Sequence, residues 1–343
     1  MPDTLPTDWR KWVLGARPRT LPAAVAPVLV GTAAAAGWCG AVGDADSVTV
    51  LDRALRCAEI AGAPFWADEL LYSFSGGDGG WGRGLQLWPF LCALGVAVFV
   101  QIATNYANDY SDGRRGTDDP GTRIGPPRLV GDGLATPGEV KRAMLVAFAL
   151  TALCGLPLVL FVSPWLLVVG VAAIAAGWFY TGGPRPYGYA GLGELFVFVF
   201  FGLVATVGSF YVQTGSLSWL AVGCGVAMGL LATALLVVNN LRDIPGDTRS
   251  GKQTLAVRLG DRRTRFLYVA LLVAPMLLVP VLAGASGRLL AALALVSLLP
   301  ARRPVTDVLT GASGRSLVPV LAATSRVQMV YGGLLALGLF VSA

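Results

Sequence analysis

Long apolar runs alternate with short polar segments along almost the whole chain. A run of roughly 17 to 25 apolar residues is long enough to cross a membrane as a helix. By this criterion the sequence predicts nine spans, at residues 21–42, 88–107, 143–162, 164–180, 191–213, 218–240, 264–285, 288–301 and 325–342. The eighth is the shortest, because its apolar run extends only from Leu289 to Pro300. The predicted fold class is therefore an all-α, polytopic membrane protein.

Composition agrees with this prediction. Of the 343 residues, 55% are hydrophobic and 13% are charged, whereas about a quarter are charged in a typical soluble domain. The first 20 residues are polar and basic, so the sequence predicts no cleavable signal peptide and an amino terminus that stays in the cytoplasm. We expect a single integral membrane domain over residues 1–343, with a plasma-membrane location.

Lysine and arginine are distributed unevenly between the two predicted sides. With nine spans, 22 of the 26 basic residues lie on the same side of the membrane as the amino terminus. The other four are Arg53, Arg56, Arg83 and Arg288. Basic residues are enriched in cytoplasmic segments, so this distribution orients the bundle. The connection at about 43–87 then lies outside the cell, where residues 48–72 have the pattern of an amphipathic helix on the outer leaflet.

Two clusters of aspartate and asparagine lie where predicted spans end. The first runs Asn105-Tyr-Ala-Asn108-Asp109-Tyr-Ser-Asp112 and continues to Asp118, and the second runs Asn239-Asn240-Leu-Arg242-Asp243-Ile-Pro-Gly-Asp247 and continues to Lys252. The orientation places both on the cytoplasmic face. Because carboxylates at a membrane boundary are costly unless they are paired or bound to a cation, the clusters indicate a shared ionic ligand.

The spacing within the clusters favours a metal and a diphosphate. Asn108 and Asp112 are four residues apart, as are Asp243 and Asp247, and residues at this spacing share one face of a helix. We expect Pro245-Gly246 to interrupt the helix between the second pair. Mg²⁺ takes few protein carboxylates and completes its shell with water and phosphate oxygens. Two facing carboxylate sets therefore predict a Mg²⁺-dependent diphosphate site.

Other residue types limit the possible chemistry of this site or support a diphosphate ligand. The chain contains no histidine, which excludes histidine general bases and histidine metal ligands, and its five cysteines have no metal-like spacing. Basic residues in motifs that contain glycine or proline are predicted to contact the anionic substrate, namely Arg17, Arg123, Arg128 and Lys252. Tyr180, Tyr187 and Tyr189 share a third cytoplasmic segment and are interpreted either as interfacial anchors or, for Tyr180 above all, as residues that line the site.

These motifs together resemble those of the UbiA superfamily of intramembrane prenyltransferases. The resemblance rests on Asn-Asp-Tyr-Ser-Asp followed by Arg123-Ile-Gly-Pro-Pro-Arg128, on Tyr180-Thr-Gly-Gly-Pro, and on Asn-Asn-Leu-Arg-Asp-x3-Asp-x3-Gly-Lys-Gln-Thr-Leu. The segment from Ala16 to Pro22 and the region 317–338 also fit. The resemblance covers nearly the whole chain except about 43–87. The segment before Arg123 is slightly long for the family pattern.

The resemblance implies a nine-helix bundle with a central cavity that is open to the cytoplasm and to the lipid bilayer. It implies two Mg²⁺ ions, bridged by polyprenyl diphosphate and bound by Asn108, Asp112, Asp118, Asp243 and Asp247. The catalytic residues that it implies are Asp112, Asp243, Asp247, Lys252 and Tyr180. Substrate contacts are expected from Arg17, Asn105, Arg123, Arg128, Asn240 and Lys252.

The implied activity is transfer of a polyprenyl group to an aromatic acceptor, with no nucleic-acid partner. The expected acceptor is 1,4-dihydroxy-2-naphthoate, which would lose CO₂ to give demethylmenaquinone. Two alternatives stay open: a different acceptor such as 4-hydroxybenzoate or homogentisate, and a secondary transporter, since carboxylates within membranes also mark ion paths. A transporter predicts charges near the bilayer midplane, whereas both clusters lie at one face.

Overall fold

The computed structural model describes residues 9–38, 85–117 and 127–343, and every regular element in these ranges is helical. The helices are α1 (Trp9–Ala16), α2 (Pro22–Ala35), α3 (Leu87–Arg115), α4 (Pro137–Phe161), α5 (Trp165–Phe179), α6 (Gly193–Thr214), α7 (Trp219–Arg249), α8 (Leu255–Ser286), α9 (Leu289–Leu309) and α10 (Leu317–Val341). Short 3-10 turns occupy Pro18–Thr20, Tyr187–Ala190 and Gly314–Ser316. Asp118, Arg123 and the predicted outer helix at 48–72 lie outside the described residues.

The prediction of an all-α, multi-pass membrane protein is confirmed. Seven described helices, α3, α4 and α6 to α10, are long and apolar enough to cross a bilayer. The other two predicted spans correspond to α2 and α5, which have 14 and 15 residues. At 1.5 Å per residue such helices are about 21 to 23 Å long, shorter than a hydrocarbon core of about 30 Å. The count of nine full-length spans is therefore not confirmed.

Several helices extend beyond the apolar runs that predicted them. α3 continues from its apolar part through the first cluster to Arg115, and α7 continues through the second cluster to Arg249. The expected interruption at Pro245-Gly246 was wrong, because Pro245 lies inside α7. The helix continues for four residues beyond Pro245, to Arg249.

The carboxy-terminal half also differs in detail from the predicted spans. α8 begins at Leu255 and contains one non-helical residue, Gly260, whose φ of 75° separates the first turn from the membrane-spanning part. α9 starts as a 3-10 helix, Leu289–Ser297, and continues to Leu309. Arg302 and Arg303 therefore lie within a helix, although the sequence placed them in the loop after the eighth span.

Close helix packing at glycines brings α6 against its neighbours. A Cβ atom at Gly202 would lie 2.3 Å from the Cα of Gly229 on α7, and one at Gly31 on α2 would lie 2.1 Å from the carbonyl oxygen of Thr206. Small residues permit such backbone contact between membrane helices. Gly202 belongs to a π-helical stretch, Phe198–Val204, and such stretches often occur at functional sites.

The central position of α7 determines where the site lies. α7 is the most buried of the seven long helices, and its apolar face packs in one core with residues of α2, α8, α9 and α10. A second core joins α3 and α4 with the segment that follows the first cluster. Open space remains between these two groups of helices, and the ends of α3 and α7 face it.

Candidate active site

The two aspartate clusters meet in one polar cavity of about 420 Å³. Its walls come from the turn after α1, the ends of α3 and α7, the loop between α5 and α6, and α10. Predicted site residues that line it are Arg17, Asn108, Asp112, Arg128, Tyr180, Asn240, Asp243, Asp247 and Lys252. The clusters are about 130 positions apart in sequence, so this proximity is a result of the fold.

The helical phase of α3 separates its aspartates. Asp109 is buried and faces away from the cavity, where its two oxygens accept from the backbone N–H groups of Leu129 and Val130, both at 3.0 Å. Asn108 and Asp112 share the neighbouring face of the helix and line the cavity. Asp109 thus anchors the returning chain, whereas the pair with four-residue spacing faces the ligand space.

Asp112 is held on both carboxylate oxygens. The Tyr189 hydroxyl donates to Oδ1 at 2.6 Å, and Lys252 Nζ lies 3.3 Å from Oδ2. Burial, and secondarily the negative charge of Asp112, raise the pKa of Tyr189 above its ordinary value. Tyr189 therefore remains a protonated donor at neutral pH. These contacts join three segments of the chain at one carboxylate.

The second cluster has its own charge partners. Arg242 binds Asp243 through two hydrogen bonds, and its Nη2 also donates to Asn239 Oδ1 at 2.9 Å. Asp247 lies one turn further along α7, where Thr254 Oγ1 donates to its Oδ2 at 3.4 Å. Asp112 and Asp247 lie in the last turns of α3 and α7, where the helix dipole disfavours negative charge. The site therefore favours a bound cation.

The turn after α1 brings Arg17 to the cavity. Arg17 has φ 52°, the one positive φ among the described non-glycine residues, which costs of order 1–3 kcal/mol and persists only where neighbours fix it. Asn105 supplies that support, because its Nδ2 donates to the carbonyl of Ala16 at 2.9 Å and to Thr20 Oγ1 at 3.1 Å. Asn105, predicted to contact substrate, thus holds the turn and lines the adjoining apolar cavity.

The remaining predicted residues occupy different parts of the wall. Asn240 donates to Glu194 Oε1 at 2.9 Å, which ties α7 to the start of α6. Asn108 Oδ1 accepts from Thr181 Oγ1 at 2.9 Å. Tyr180 follows α5 and lines both this cavity and a second one. Its position joins the two spaces.

The second cavity is apolar and has a volume of about 450 Å³. It lies between α2, α3, α4, α5 and α6, and shares five lining residues with the polar cavity: Gln101, Asn108, Tyr180, Val197 and Phe201. A row of rings lines it from the junction inward. Centroid distances are 5.5 Å for Tyr180–Tyr187, 4.0 Å for Tyr187–Phe196 and 6.1 Å for Phe196–Phe200. The combined space suits an amphiphile with an anionic head and an apolar tail.

The donor set fits Mg²⁺ held jointly with a phosphate ligand. Around the polar cavity the available metal donors are carboxylate oxygens of Asp112, Asp243 and Asp247 and the amide oxygen of Asn108. No group of three or more histidine, cysteine, aspartate or glutamate side chains among the described residues is arranged to hold an ion. Mg²⁺ typically uses one or two carboxylates and completes its octahedron with water and substrate phosphates.

The sequence did not predict the contacts that Tyr189 and Arg242 make with the aspartates. Tyr189 was interpreted in part as an interfacial anchor, and nothing in its local sequence shows that its hydroxyl reaches Asp112. Arg242 directly precedes Asp243, so its proximity was evident, but the two-oxygen contact depends on side-chain conformation. Arg115, at the end of α3, donates to the carbonyls of Thr181 and Gly183 and fixes the loop that carries Tyr189.

A polar cavity continuous with an apolar one inside a helical membrane bundle suits a membrane protein that binds amphiphilic anions. Comparison with known families identifies the protein family. Residues 74–302 match the family described as the UbiA prenyltransferase family. The chain belongs to this family, as the sequence motifs predicted.

Two named relatives match this chain over about three quarters of their length. The chain is 48% identical over 265 residues to the 1,4-dihydroxy-2-naphthoate octaprenyltransferase of Mycobacterium tuberculosis, which covers 77% of this chain and 75% of the relative. It is 37% identical over 267 residues to the enzyme of the same name from Escherichia coli, covering 76% and 72%.

Solved structures show the same fold at low sequence identity. One is the apo form of a UbiA homologue from Aeropyrum pernix, with a TM-score of 0.58 and 15% identity. The match covers 92% of this chain and 97% of the homologue. A UbiA homologue from Archaeoglobus fulgidus, described as bound to DMAPP and Mg²⁺, matches 95% and 99%, with a TM-score of 0.52 and 15% identity.

Proposed function

We propose that this chain transfers a polyprenyl group from polyprenyl diphosphate to 1,4-dihydroxy-2-naphthoate, with loss of pyrophosphate and CO₂. The observation that carries the proposal is the junction at Tyr180, where a cavity with aspartates from both clusters continues into an apolar cavity. The names of the relatives from Mycobacterium tuberculosis and Escherichia coli supply the acceptor.

The two cavities divide the donor substrate between them. The diphosphate lies in the polar cavity, and the isoprenoid chain extends along α3, α4, α5 and α6. Lys252, Arg17 and Arg128 supply charge-assisted hydrogen bonds to phosphate and to the acceptor carboxylate. Arg123 is assigned the same role from sequence. Because the apolar cavity opens between helices whose outer faces are apolar, long chains extend from it into the bilayer.

Mg²⁺ would be held by Asp112, Asp243 and Asp247 with Asn108, and by Asp118 on the evidence of sequence. When bound, it neutralises the charge that develops on the departing pyrophosphate. The fold brings Asp112, Asp243 and Asp247 to one cavity, and each has a cationic or hydrogen-bonding partner there. Asn240 and Asn105 contribute by fixing α7 and the Arg17 turn.

The proposed reaction is balanced without any oxidant. The bond between the allylic carbon and the diphosphate oxygen breaks, and its electron pair leaves with pyrophosphate. The ring carbon that bears the carboxylate then attacks the allylic cation. The bond between this ring carbon and the carboxylate carbon breaks, CO₂ leaves, and the electron pair of the broken bond returns to the ring. The immediate product is the quinol form of demethylmenaquinone. Exclusion of water from the apolar cavity protects the cation, and the rings of Tyr180 and Tyr187 present π faces nearby.

We propose further that the protein lies in the plasma membrane, with its amino terminus and polar cavity on the cytoplasmic side. The distribution of lysine and arginine supports this orientation. The whole chain, residues 1–343, acts as one membrane domain. An active site at the cytoplasmic face gives a water-soluble acceptor direct access, while the isoprenoid donor enters from the lipid.

The test is a transfer assay with purified protein in lipid vesicles. Mg²⁺ and a polyprenyl diphosphate are supplied with 1,4-dihydroxy-2-naphthoate, 4-hydroxybenzoate or homogentisate in separate reactions, and products are identified by mass spectrometry together with released CO₂. The proposal predicts a prenylated, decarboxylated product from the naphthoate. Equal or better transfer to either other acceptor would assign a different substrate, and absence of transfer to all three would contradict the proposed activity.

A further inference from the structure

The loop residue Tyr189 occupies a central position in the polar cavity. It lies in the 3-10 turn Tyr187–Ala190 between α5 and α6, far in sequence from both aspartate clusters. Its carbonyl accepts from the N–H of Gln253 at 2.9 Å, which joins this turn to the segment that carries Lys252. Its ring is also covered by Arg115, whose guanidinium carbon lies 5.4 Å from the ring centroid. The backbone and ring of Tyr189 are therefore fixed.

The hydroxyl of Tyr189 donates a hydrogen bond to one oxygen of Asp112. The O–O distance of 2.6 Å to Oδ1 is that of a strong hydrogen bond to a carboxylate. Asp112 itself is 4% exposed. Tyr189 occupies one lone pair of Oδ1 and fixes the plane of the carboxylate, while Oδ2 lies 3.3 Å from Lys252 Nζ. The hydroxyl thus sets the direction in which the remaining lone pairs of Asp112 meet a metal.

The ring of Tyr189 contacts the ammonium group of Lys252. The ammonium nitrogen lies 4.6 Å from the ring centroid, within the range of a cation–π interaction. The Lys252 side chain is 12% exposed, so screening by water is limited. When a metal takes Oδ2 of Asp112, Lys252 loses that partner but keeps the ring, which holds its charge at the edge of the phosphate space.

We propose that Tyr189 is a positioning residue with two separable roles: its hydroxyl orients Asp112 for Mg²⁺, and its ring holds Lys252 for the diphosphate. The inference rests on the proposed function, since it concerns the same site. Groups that orient a metal ligand in this way typically change metal affinity or activity by 10- to 100-fold when they are removed. Neither role requires contact between Tyr189 and the reacting carbons.

Two substitutions separate the roles. Tyr189→Phe removes the hydroxyl and keeps the ring, whereas Tyr189→Leu removes both. The measurement is the thermal unfolding midpoint of the purified protein with inorganic pyrophosphate and graded Mg²⁺, because a ligand that binds only the folded state raises this midpoint. Tyr110→Phe is the matched control, since Tyr110 lies on the same helix as Asp112 and its hydroxyl accepts from exposed Arg114.

For Tyr189→Phe we expect the Mg²⁺ concentration that gives half-maximal stabilisation to rise about tenfold or more, with pyrophosphate affinity at saturating Mg²⁺ unchanged. For Tyr189→Leu we expect the same shift and, in addition, a loss of pyrophosphate affinity at saturating Mg²⁺ of roughly 5- to 30-fold. In turnover assays Tyr189→Phe should keep the acceptor KM within about twofold, because it leaves in place the ring that holds Lys252.

Three results would overturn the inference. A Tyr189→Phe variant whose Mg²⁺ titration matches wild type and Tyr110→Phe would remove the role of the hydroxyl. Equal losses of pyrophosphate affinity at saturating Mg²⁺ in Tyr189→Phe and Tyr189→Leu, accompanied by a lower midpoint without ligands, would show that Tyr189 only supports the fold. If wild-type protein gains no stability from Mg²⁺ and pyrophosphate together, the proposed function fails, and this inference fails with it.

Discussion

Arg242 binds the carboxylate of the adjacent Asp243 through both oxygens, with Nε 2.7 Å from Oδ1 and Nη2 2.6 Å from Oδ2. The Arg242 side chain is 3% exposed and that of Asp243 is 23% exposed. A bidentate pair of this kind is the strongest form of hydrogen-bonded ion pair. An ionised carboxylate offers about four lone-pair sites, so Asp243 keeps sites for a metal on its cavity side. Arg242 therefore stabilises the cluster when no metal is bound.

The first prediction follows from this pair. Arg242→Gln leaves Asp243 without its cation in a cavity that also contains Asp112 and Asp247, so we expect a loss of about 1.5–3 kcal/mol in the free energy of unfolding without metal. Addition of Mg²⁺ should restore part of that loss, because the ion replaces the missing positive charge. Denaturation of purified protein with and without Mg²⁺ measures both effects.

Arg249→Gln is the control for this experiment. Arg249 lies on the same helix, is exposed, and donates to the carbonyl of Pro245 at 3.1 Å. Surface changes of this kind usually remain within about 0.5 kcal/mol, and we expect no dependence on Mg²⁺. A loss in Arg242→Gln that is the same at all Mg²⁺ concentrations would refute the role assigned to Arg242.

The second prediction concerns the contact between α6 and α7. Gly202→Ala places a methyl group 2.3 Å from the Cα of Gly229, so the helices must separate, at a cost of about 1–3 kcal/mol or more. Gly208→Ala on the same helix meets nothing within 4 Å and should leave the unfolding midpoint unchanged or slightly raised. Equal midpoints for the two variants would show that α6 and α7 do not approach so closely.

The third prediction concerns sidedness. Leu217 and Ser250 are exposed and flank α7 at opposite ends. In a background without the five native cysteines, Leu217→Cys should react with an impermeant maleimide only from outside the cell, and Ser250→Cys only from inside. Position 75, in the predicted outer segment, should label like position 217. Reaction of positions 217 and 250 from the same side would contradict the orientation.

The sequence identified the apolar spans and the clusters well because both depend on local composition. Hydropathy does not predict where a helix ends once the helix leaves the apolar region. The backbone hydrogen bonds of α3 and α7 continue through polar residues to Arg115 and Arg249. The four-residue spacing correctly placed Asn108 with Asp112 on one face, while Asp109 turned to the protein interior.

Contacts between distant segments were beyond sequence reasoning. Tyr189 reaches Asp112 because the loop after α5 folds over the end of α3, where Arg115 binds its carbonyls. Similarly, Asn105 supports the Arg17 turn across 89 positions in sequence. Such partners are set by packing of whole helices, and no local pattern encodes them.

The central claim is that carboxylates from both clusters bind Mg²⁺ for one transfer reaction. Its most direct test is the turnover of purified Asp112→Asn and Asp243→Asn variants across a Mg²⁺ titration, alongside wild type. Asp261→Asn is the control, because Asp261 pairs with Arg265 on α8, at 2.6 Å, away from the cavity. We expect wild type and Asp261→Asn to lose turnover only when Mg²⁺ is chelated.

Each cluster variant should still fold, with Asp243→Asn less stable because it breaks the ion pair with Arg242. Each should fall below about 1% of wild-type turnover at every Mg²⁺ concentration, because each removes a charge that balances metal and phosphate. Folded Asp243→Asn protein with near-normal turnover at limiting Mg²⁺ would contradict the claim.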